Sequence, residues 1–199
     1  MNYILNETAS VSEKPKISKL GLSLITVTGG VAAAISLVCA SFVSPAFRKI
    51  CLPYVPATKQ QIENVVQGLK GRSGSLIDLG SGDGRIVFAA ANAGYQAHGI
   101  ELNRWLVYYS RLKALSIGLS SKTIFFKKDL WKFNLSPYNN VVIFGVDQMM
   151  QDIEQKCFTE LQKDSVIIAC RFPLPTMQAV KIPMKEAVYV TYMRVMDKQ

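Results

Sequence analysis

Hydrophobic and polar residues change their spacing several times along the 199-residue chain, and each change marks a predicted element. Short apolar runs, which favour strands, alternate with stretches of helical spacing. The predicted strands are Leu76–Leu79, Gln96–Ile100, Thr123–Phe126, Val141–Phe144, Val166–Ala169, Ala179–Ile182 and Ala187–Val195, and the predicted helices lie at 84–93, 103–117 and 148–162. Because unbroken apolar strands separated by helices are typical of a parallel sheet covered on both faces, we predict an α/β fold.

A further helix is predicted before the first strand, and a hairpin after the last helix. Thr58 and Gln61 have the spacing of a capping box. The apolar residues that follow at helical spacing, up to Gly71, are Ile62, Val65, Val66 and Leu69. The last two predicted strands are joined by a short turn at 183–186, so we expect an antiparallel hairpin at the sheet edge.

The longest apolar stretch lies near the N terminus. From Leu20 to Phe47 there are 28 residues without Asp, Glu, Lys, Arg or His. A helix needs about 20 apolar residues to cross a bilayer, whereas a helix packed in a small soluble domain keeps a polar face. A cleaved signal peptide is the alternative, because Val38-Cys39-Ala40 resembles a cleavage site, but the apolar region exceeds the ~7–15 residues of a signal core. We therefore predict an uncleaved transmembrane segment.

This pattern divides the chain into four parts. They are a flexible tail (1–19), a transmembrane or targeting segment (20–47), a connector containing Pro53 and Pro56 (48–57) and a folded domain (58–199). Basic residues flank both ends of the apolar segment, and the larger positive excess lies C-terminal to it. That excess favours the untranslocated, matrix-like side for the domain.

Charge and cysteine content narrow the possible partners. The net charge of +9 favours anionic surfaces, either lipid headgroups or nucleic acid. The sequence has neither a zinc finger nor an aromatic RNA-binding motif, so a nucleic-acid partner is not expected. The four cysteines contain no C-x-x-C pair, and with a single histidine they give no metal-ligand pattern. We expect no metal site.

The stretch LIDLGSGDGRIVFAAANAGY (76–95) carries the predicted ligand site, because a strand, a glycine-rich turn and a helix follow one another there. A phosphate-binding P-loop requires Gly-Lys-Ser/Thr, whereas Arg85 follows Gly84. The dinucleotide fingerprint G-x-G-x-x-G/A fails as well, since Arg85 and Val87 occupy the required positions. The pattern Asp78-x-Gly80-x-Gly82-x-Gly84 instead favours a ligand without a pyrophosphate.

Acidic residues accompany three successive strand ends. Asp78 and Asp83 make the loop acidic, Glu101 ends the second strand, and Asp129 follows the third. S-adenosylmethionine carries an ammonium, a sulfonium and a ribose, all of which carboxylates can bind. Glu101 would accept the ribose hydroxyls, and Asp129, beside the Leu130 N–H, would accept from the adenine amino group. The predicted cofactor-binding residues are Asp78, Gly80, Ser81, Gly82, Gly84, Glu101, Asp129 and Leu130. Turn capping by Asp78 and helix capping by Asp129 remain open alternatives.

Six stretches of the chain also resemble one known family: CLPYVPATKQQIENVVQGL, GSLIDLGSGDGRIVFAAA, GIELNRWLVYYSR, KKDLWKF, NNVVIFGVDQMM and VIIACRFPLP. Over about residues 42–175 the chain resembles the mitochondrial protein-lysine methyltransferases, whose members modify the ATP synthase c subunit and the adenine nucleotide translocase. The likeness is greatest to the branch that acts on the ATP synthase.

The resemblance implies the seven-strand, Rossmann-like class I fold of S-adenosylmethionine-dependent methyltransferases, with an N-terminal transmembrane helix. It implies a single-pass protein of the mitochondrial inner membrane that trimethylates a lysine of the ATP synthase c subunit. The chain departs from the family pattern at Arg104 and Asp147, which stand in place of prolines, and in the C-terminal hairpin. There Met177 stands in place of a tryptophan, and MKEAVYVTY in place of a Gly-Glu-Gly stretch that leads to a second tryptophan. These departures motivate one alternative, an inactive or weakly active cofactor-binding relative that serves as an inner-membrane assembly or interaction factor.

Methyl transfer to an amine requires orientation more than a dedicated base. Asp147, after the fourth strand, is a candidate for accepting a proton or attracting the ammonium of a lysine, and an N-cap role for the helix at 148–162 is equally open. Trp105 and Trp131 are expected to be packed in the core, with a place beside the cofactor or the substrate lysine as the alternative.

Overall fold

The computed structural model describes residues 18–43, 55–182 and 188–193. Predictions for most of the tail (1–17), for the end of the apolar segment and most of the connector (44–54), for the turn at 183–186 and for the outer ends of the last strand lie outside these ranges. The helices are α1 (Lys19–Val43), α2 (Lys59–Gly68), α3 (Arg85–Asn92), α4 (Arg104–Ser116) and α5 (Asp147–Glu160). The strands are β1 (Ser75–Leu79), β2 (Gln96–Glu101), β3 (Thr123–Lys127), β4 (Asn140–Phe144), β5 (Val166–Cys170), β6 (Ala179–Ile182) and β7 (Val188–Tyr192).

The strands form one sheet in the order β3-β2-β1-β4-β5-β7-β6. The first five are parallel, as their apolar runs and intervening helices predicted. β7 pairs antiparallel with β5 and with β6, which confirms the predicted hairpin at the sheet edge. Apart from the end of α2, the strands and helices of the sheet domain agree with the predicted ones to within one or two residues over the described part of the chain.

Both faces of the sheet are covered. Successive residues of a strand point to opposite faces. In β1, Leu76 packs with apolar residues of α2, α3 and α4. Its neighbours Ile77 and Leu79 pack on the other face with Met149, Met150 and Ile153 of α5 and other apolar residues. The parallel strands therefore all end at the same edge, between two layers of helices.

The capping box before α2 is present as predicted. The Thr58 hydroxyl accepts a hydrogen bond from the Gln61 N–H (3.1 Å), and the Thr58 N–H donates to the Gln61 side chain (3.0 Å). The helix ends at Gly68, three residues before the predicted glycine stop. The Leu69 carbonyl accepts from the Arg72 N–H (3.0 Å), three residues further on, and from the buried Tyr95 hydroxyl (2.6 Å), so the chain turns here instead of continuing the helix.

α1 belongs to a separate compact unit, residues 1–40, and the sheet belongs to a second unit, residues 41–199. The window Lys19–Ala40 has a mean hydropathy of 2.1 and is long and apolar enough to cross a membrane. Its large apolar side chains, among them Leu22, Ile25 and Ile35, are more than half exposed. A helix of a soluble core buries such side chains, so α1 lacks the pattern of a core helix.

Candidate active site at the carboxyl edge of the sheet

The glycine loop follows β1 at the carboxyl edge of the sheet and is bonded to β2. The N–H groups of Gly80 and Ser81 both donate to the Ile100 carbonyl, at 2.9 and 2.8 Å. Gly80, Gly82 and Gly84 all have positive φ, a conformation that side chains other than glycine rarely adopt. A Cβ at Gly84 would lie 2.8 Å from the Phe125 ring, whereas one at Gly80 would meet nothing within 4 Å. The loop is therefore packed underneath and open at Gly80.

Glu101 links this loop to the end of β2. Its Oε2 accepts from the Gly82 N–H (3.0 Å), and its Oε1 accepts from the N–H groups of Leu102 (2.7 Å) and Asn103 (2.8 Å). A carboxylate oxygen accepts about two hydrogen bonds, so Oε1 is fully used and Oε2 retains one acceptor position. The carboxylate is thus held rigidly and can still accept from a ligand hydroxyl.

Asp78 lies under the loop and is 2% exposed. Burial, with smaller contributions from the nearby charges of Glu101 and Asp83, raises the pKa of this carboxyl to about 8. A buried carboxyl beside other acids is stabilised when a cation binds to it. The neighbouring Ser81 hydroxyl is buried and has no hydrogen-bond partner within the described ranges. A ligand that brings an ammonium and polar groups fits this edge of the sheet.

Asp83 is less available than the sequence suggested. Arg85 forms an ion pair with it (Nη2–Oδ2, 2.6 Å) and also donates from Nη1 to the Ala57 carbonyl (2.6 Å), before α2. The loop is therefore partly neutralised and attached to the start of the domain. Sequence reasoning missed this role of Arg85, although the spacing Asp83-x-Arg85 was the available signal.

Asp129 and Leu130 follow β3, the strand next to β2, and both are half-buried or partly exposed at this edge. The Asp129 Oδ1 accepts from the Trp131 N–H (3.1 Å) and caps the short 3-10 helix Leu130–Lys132. The capping alternative is therefore correct. This bond uses one acceptor position of Oδ1, so the carboxylate can still accept further hydrogen bonds.

Asp147 lies after β4, which neighbours β1 on its other side. The predicted N-cap role is wrong, because the N-cap is Val146 and Asp147 is the first residue of α5. The helix begins earlier because the Met149 N–H donates to the Val146 carbonyl (3.0 Å). The Asp147 side chain is exposed, and its charge is favourable at a helix N terminus.

The segment after β5 is fastened to α5 by a carboxylate that sequence reasoning missed. Glu154 is 7% exposed. Its Oε1 accepts hydrogen bonds from the backbone N–H groups of Thr176 (2.9 Å) and Met177 (2.8 Å). Met177, one of the departures from the family pattern, is partly buried against the α5 side of the core. Its backbone is therefore fixed by Glu154 whatever side chain stands there.

The two tryptophans are not packed in the core as predicted. Trp105 is 37% exposed and Trp131 is 39% exposed. Trp105 is the second residue of α4, and its backbone N–H donates to the side chain of Asn103, the N-cap of that helix. The prediction of core packing is wrong for both residues, and the alternative, a place beside the cofactor or the substrate lysine, stays a prediction.

The strand order and the ligand edge define a class I methyltransferase fold, and solved structures agree. The chain is similar to an RNA methyltransferase from Salinibacter ruber in complex with S-adenosyl-L-homocysteine, with a TM-score of 0.68 and 25% identity over 73% of this chain and 97% of that one. It also shares the fold of ribosomal protein L11 methylase from Lactobacillus delbrueckii subsp. bulgaricus (TM-score 0.57, 14% identity, 71% and 89% covered).

Sequence relatives identify the family within this class. A profile of the ANTKMT methyltransferase domain matches residues 78–181, and the N-terminal domain profile of the ATP synthase c-subunit lysine N-methyltransferases matches residues 17–48. The ATP synthase c-subunit lysine N-methyltransferases of Xenopus laevis and Homo sapiens are each 54% identical, over 83% and 87% of this chain and 74% of theirs. Adenine nucleotide translocase lysine N-methyltransferase from Mus musculus is 41% identical over 82% of this chain and 74% of its own length.

The chain belongs to the ATP synthase c-subunit lysine N-methyltransferase family, and is related to the adenine nucleotide translocase enzymes. It is an S-adenosylmethionine-dependent protein-lysine N-methyltransferase. The resemblance found in the sequence is confirmed.

Proposed function

We propose that this enzyme trimethylates a lysine of the mitochondrial ATP synthase c subunit from a position anchored in the inner membrane. The 54% identity to the Xenopus laevis and Homo sapiens proteins named for this substrate carries the proposal, because it extends over more than four fifths of the chain. The match of residues 17–48 to the N-terminal domain of the same proteins adds support.

Each predicted cofactor residue receives a role consistent with its contacts. The Glu101 Oε2 accepts a ribose hydroxyl, and Asp78 and Ser81 lie beneath the ligand's charged end. Gly80, Gly82 and Gly84 give the backbone the shape that lets the cofactor approach. The Asp129 carboxylate and the Leu130 N–H bind the adenine edge.

The reaction requires a neutral lysine amine held in line with the methyl group. When bound, S-adenosylmethionine supplies a methyl carbon activated by its sulfonium. Lysine has a pKa of about 10.4 in water, and burial lowers that value by disfavouring the charged form. The exposed Asp147 at the carboxyl edge attracts the incoming ammonium and accepts its proton for release to solvent.

The apolar helix α1 supports the proposed anchor and location. In the proposed arrangement a tail at 1–19 precedes a span within 20–47, a connector at 48–57 and a methyltransferase domain at 58–199, so that methyl transfer takes place next to a bilayer. Tethering raises the effective concentration of the enzyme toward a membrane-embedded substrate. The positive excess C-terminal to the span favours the matrix side for the domain.

The proposal is tested in cells that lack this protein and re-express the wild type, Glu101→Ala, Glu101→Gln or Glu63→Gln. Glu63 is an exposed glutamate of α2 and serves as the matched control. Hydrogen bonds to a charged group contribute about 1.5–3 kcal/mol, so loss of the Glu101 charge should weaken S-adenosylhomocysteine binding roughly tenfold or more.

The readout is the intact mass of the ATP synthase c subunit. We expect a trimethylated mass with the wild type and Glu63→Gln, and the unmethylated mass without the protein or with Glu101→Ala. A c-subunit mass that is the same in the presence and absence of this protein would reject the substrate. If cofactor binding persisted while methyl transfer to any inner-membrane lysine failed, the alternative of an assembly or interaction factor would replace the proposal.

A further inference from the structure

Helix α4 is apolar on two sides, although only one side faces the sheet. Its inner side buries Val107, Ser110 and Ala114. Five large residues recur on its other side at spacings of three and four, which place them on one face of a helix. They are Trp105, Tyr108, Tyr109, Leu112 and Leu115, with exposures of 37%, 52%, 50%, 68% and 65%.

The exposed surface extends past the end of α4. Ile117 follows the helix and is 46% exposed. We call these six residues, Trp105, Tyr108, Tyr109, Leu112, Leu115 and Ile117, the outer face. Contiguous exposed apolar residues of this kind mark interaction surfaces more often than single exposed residues do.

The stretch of chain that carries the outer face has charges of one sign. Between Glu101 and Asp129 there is no acidic residue, and the six basic residues of this stretch are Arg104, Arg111, Lys113, Lys122, Lys127 and Lys128. In the described part of the chain the two ion pairs are Arg85–Asp83 and Lys156–Glu160, so none of the six is neutralised in that way. This stretch of 27 residues alone holds an excess of six positive charges within a chain of net charge +9.

We propose that the outer face docks on the surface of an anionic lipid bilayer. Tryptophan and tyrosine are enriched where proteins meet the interface between lipid headgroups and acyl chains, leucine and isoleucine enter its apolar side, and surrounding lysine and arginine attract anionic headgroups. The family's N-terminal domain and the apolar helix α1 give this same chain a means of staying at a bilayer.

Two other occupants fit these observations less well. A second copy of the chain, docked through the same face, would bring two clusters of six positive charges together. A nucleic acid would satisfy the charge but would leave Leu112 and Leu115, the most exposed residues of the face, without an apolar partner. The Arg111 guanidinium already donates to the Phe125 carbonyl through Nε and Nη2, which limits its use in reading bases.

Docking would orient the catalytic edge. α4 begins three residues after Glu101, so the Trp105 end of the outer face lies beside the proposed cofactor site. A bilayer in contact with α4 would hold that site at the depth where a lysine of a membrane-embedded protein reaches the surface. This consequence rests on the proposed function, whereas the docking surface rests on residues 102–128.

The two tryptophans of the chain allow a direct test on the full-length protein. Trp131→Phe leaves Trp105 as the only tryptophan, and Trp105→Phe leaves Trp131. Each variant is reconstituted in vesicles of phosphatidylcholine with phosphatidylglycerol, with or without acyl chains brominated near the headgroup. In the Trp131→Phe variant we expect bromine to quench the fluorescence of Trp105, and we expect the emission maximum to shift to the blue in the presence of vesicles. In the Trp105→Phe variant we expect bromine to quench the fluorescence of Trp131 much less. In vesicles of phosphatidylcholine alone, or at high salt, the quenching of Trp105 should fall.

A second set of variants tests the face itself. Leu112→Glu combined with Leu115→Glu, in the Trp131→Phe background, should remove the quenching of Trp105. Phe158→Glu is the matched control, because Phe158 is 51% exposed on α5, away from the outer face, and this variant should retain the quenching. Circular dichroism confirms that each variant is folded.

Three results would overturn the proposal. They are an unquenched Trp105 in anionic vesicles, quenching that survives the double glutamate substitution, and a Trp105 response to soluble RNA or to protein concentration but not to lipid. Methylation of the ATP synthase c subunit measured in detergent, where no bilayer is present, separates this inference from the proposed function. Normal transfer in detergent with no quenching in vesicles would reject docking alone, and quenching without transfer would reject the substrate assignment alone.

Discussion

The ionised form of the Asp78 side chain costs stability because the carboxyl is buried, and the proposed function gives this carboxyl a role in binding the cofactor. Its carboxyl pKa is raised to about 8, first by burial and then by the charges of Glu101 and Asp83. In an unfolded chain the same carboxyl would have its ordinary pKa of 3.8. The folded state therefore binds the proton more tightly than the unfolded state, and this stabilising contribution is fully present only below pH 3.8. It decreases as the pH rises and is lost above about pH 8.

Asp78→Asn removes this titration, and we expect two opposite effects. The melting temperature of the variant, relative to the wild type, should rise between pH 5 and about pH 8, because the wild-type carboxyl ionises in the unfolded chain while it stays protonated in the fold. Its affinity for S-adenosylhomocysteine should fall most above about pH 8, where the wild-type carboxyl is an anion that binds the ligand's ammonium better than an amide does, and the difference should diminish at lower pH. Thermal unfolding and calorimetric titration in detergent measure both quantities.

The control for this prediction is Asp152→Asn, at an exposed position of α5. It should change neither the pH profile of the melting temperature nor the affinity. If the melting temperature of Asp78→Asn had the same pH dependence as that of the wild type, the raised pKa of the Asp78 carboxyl would be contradicted. If the variant bound S-adenosylhomocysteine as tightly as the wild type, Asp78 would not be a cofactor-binding residue.

At the scale of single residues, the sequence predicted the acidic side chains at the strand ends but did not predict the hydrogen bonds that Arg85 and Glu154 form with distant parts of the chain. Asp78, Glu101 and Asp129 could be found because carboxyl ends of parallel strands share one edge, which depends only on element order. Arg85 and Glu154 bond to Ala57 and to Thr176 and Met177, which lie more than 20 residues away. Such contacts depend on loop paths, which periodicity does not describe. The N-cap prediction for Asp147 failed because a one-residue shift in the helix start changes which side chain can cap.

At the scale of elements, the turn from β1 into α3 depends on a close approach that only glycine permits. Gly84 has φ +81°, and a Cβ there would lie 2.8 Å from two atoms of the Phe125 ring on β3. Gly118, between α4 and β3, has φ +71° and would meet nothing within 4 Å. An alanine would therefore strain the backbone at both positions, but its Cβ would clash with a neighbouring side chain at Gly84 alone.

Gly84→Ala should lower the melting temperature more than Gly118→Ala does. An L-residue in the left-handed region costs about 1–2 kcal/mol at either position, and overpacking adds roughly 1–3 kcal/mol at Gly84 alone. For a domain of this size 1 kcal/mol corresponds to about 2–4 °C. Equal melting temperatures for the two variants would mean that the Phe125 ring moves aside at no cost. Gly84→Ala should also weaken S-adenosylhomocysteine binding, because the displaced loop carries Gly82, the partner of Glu101.

Strands and helices were largely predictable because the spacing of apolar residues differs between the two and is repeated along each element. The exposure of α4 was not. Its sequence, RWLVYYSRLKALS, has apolar residues on all sides, and periodicity assigns faces without saying which face is covered. Burial of Trp105 was predicted from residue type alone, and the structure shows that the sheet covers only the Val107 and Ala114 side.

For the whole molecule, the question is whether catalysis in the cell depends on the bilayer. α1 and the sheet belong to separate units, so a change in α1 leaves every contact described for the cofactor edge in place. In the proposed function the bilayer raises the concentration of enzyme around a membrane-embedded lysine without altering the chemistry of transfer. Anchoring and cofactor binding should therefore be separable by mutation.

Val27→Arg combined with Val31→Arg should separate them. Both valines lie in the middle of α1, and an arginine at the centre of a membrane helix costs about 2.5–3.5 kcal/mol. We expect alkaline carbonate to extract the variant from mitochondrial membranes, its affinity for S-adenosylhomocysteine to equal that of the wild type, and c-subunit methylation in cells to fall. Val27→Leu combined with Val31→Leu keeps the helix apolar and should behave as the wild type in all three measurements. A double arginine variant that is extracted and still gives full c-subunit methylation would show that the domain finds its substrate without α1. The outer face of α4 would then be the proposed membrane contact that explains this activity.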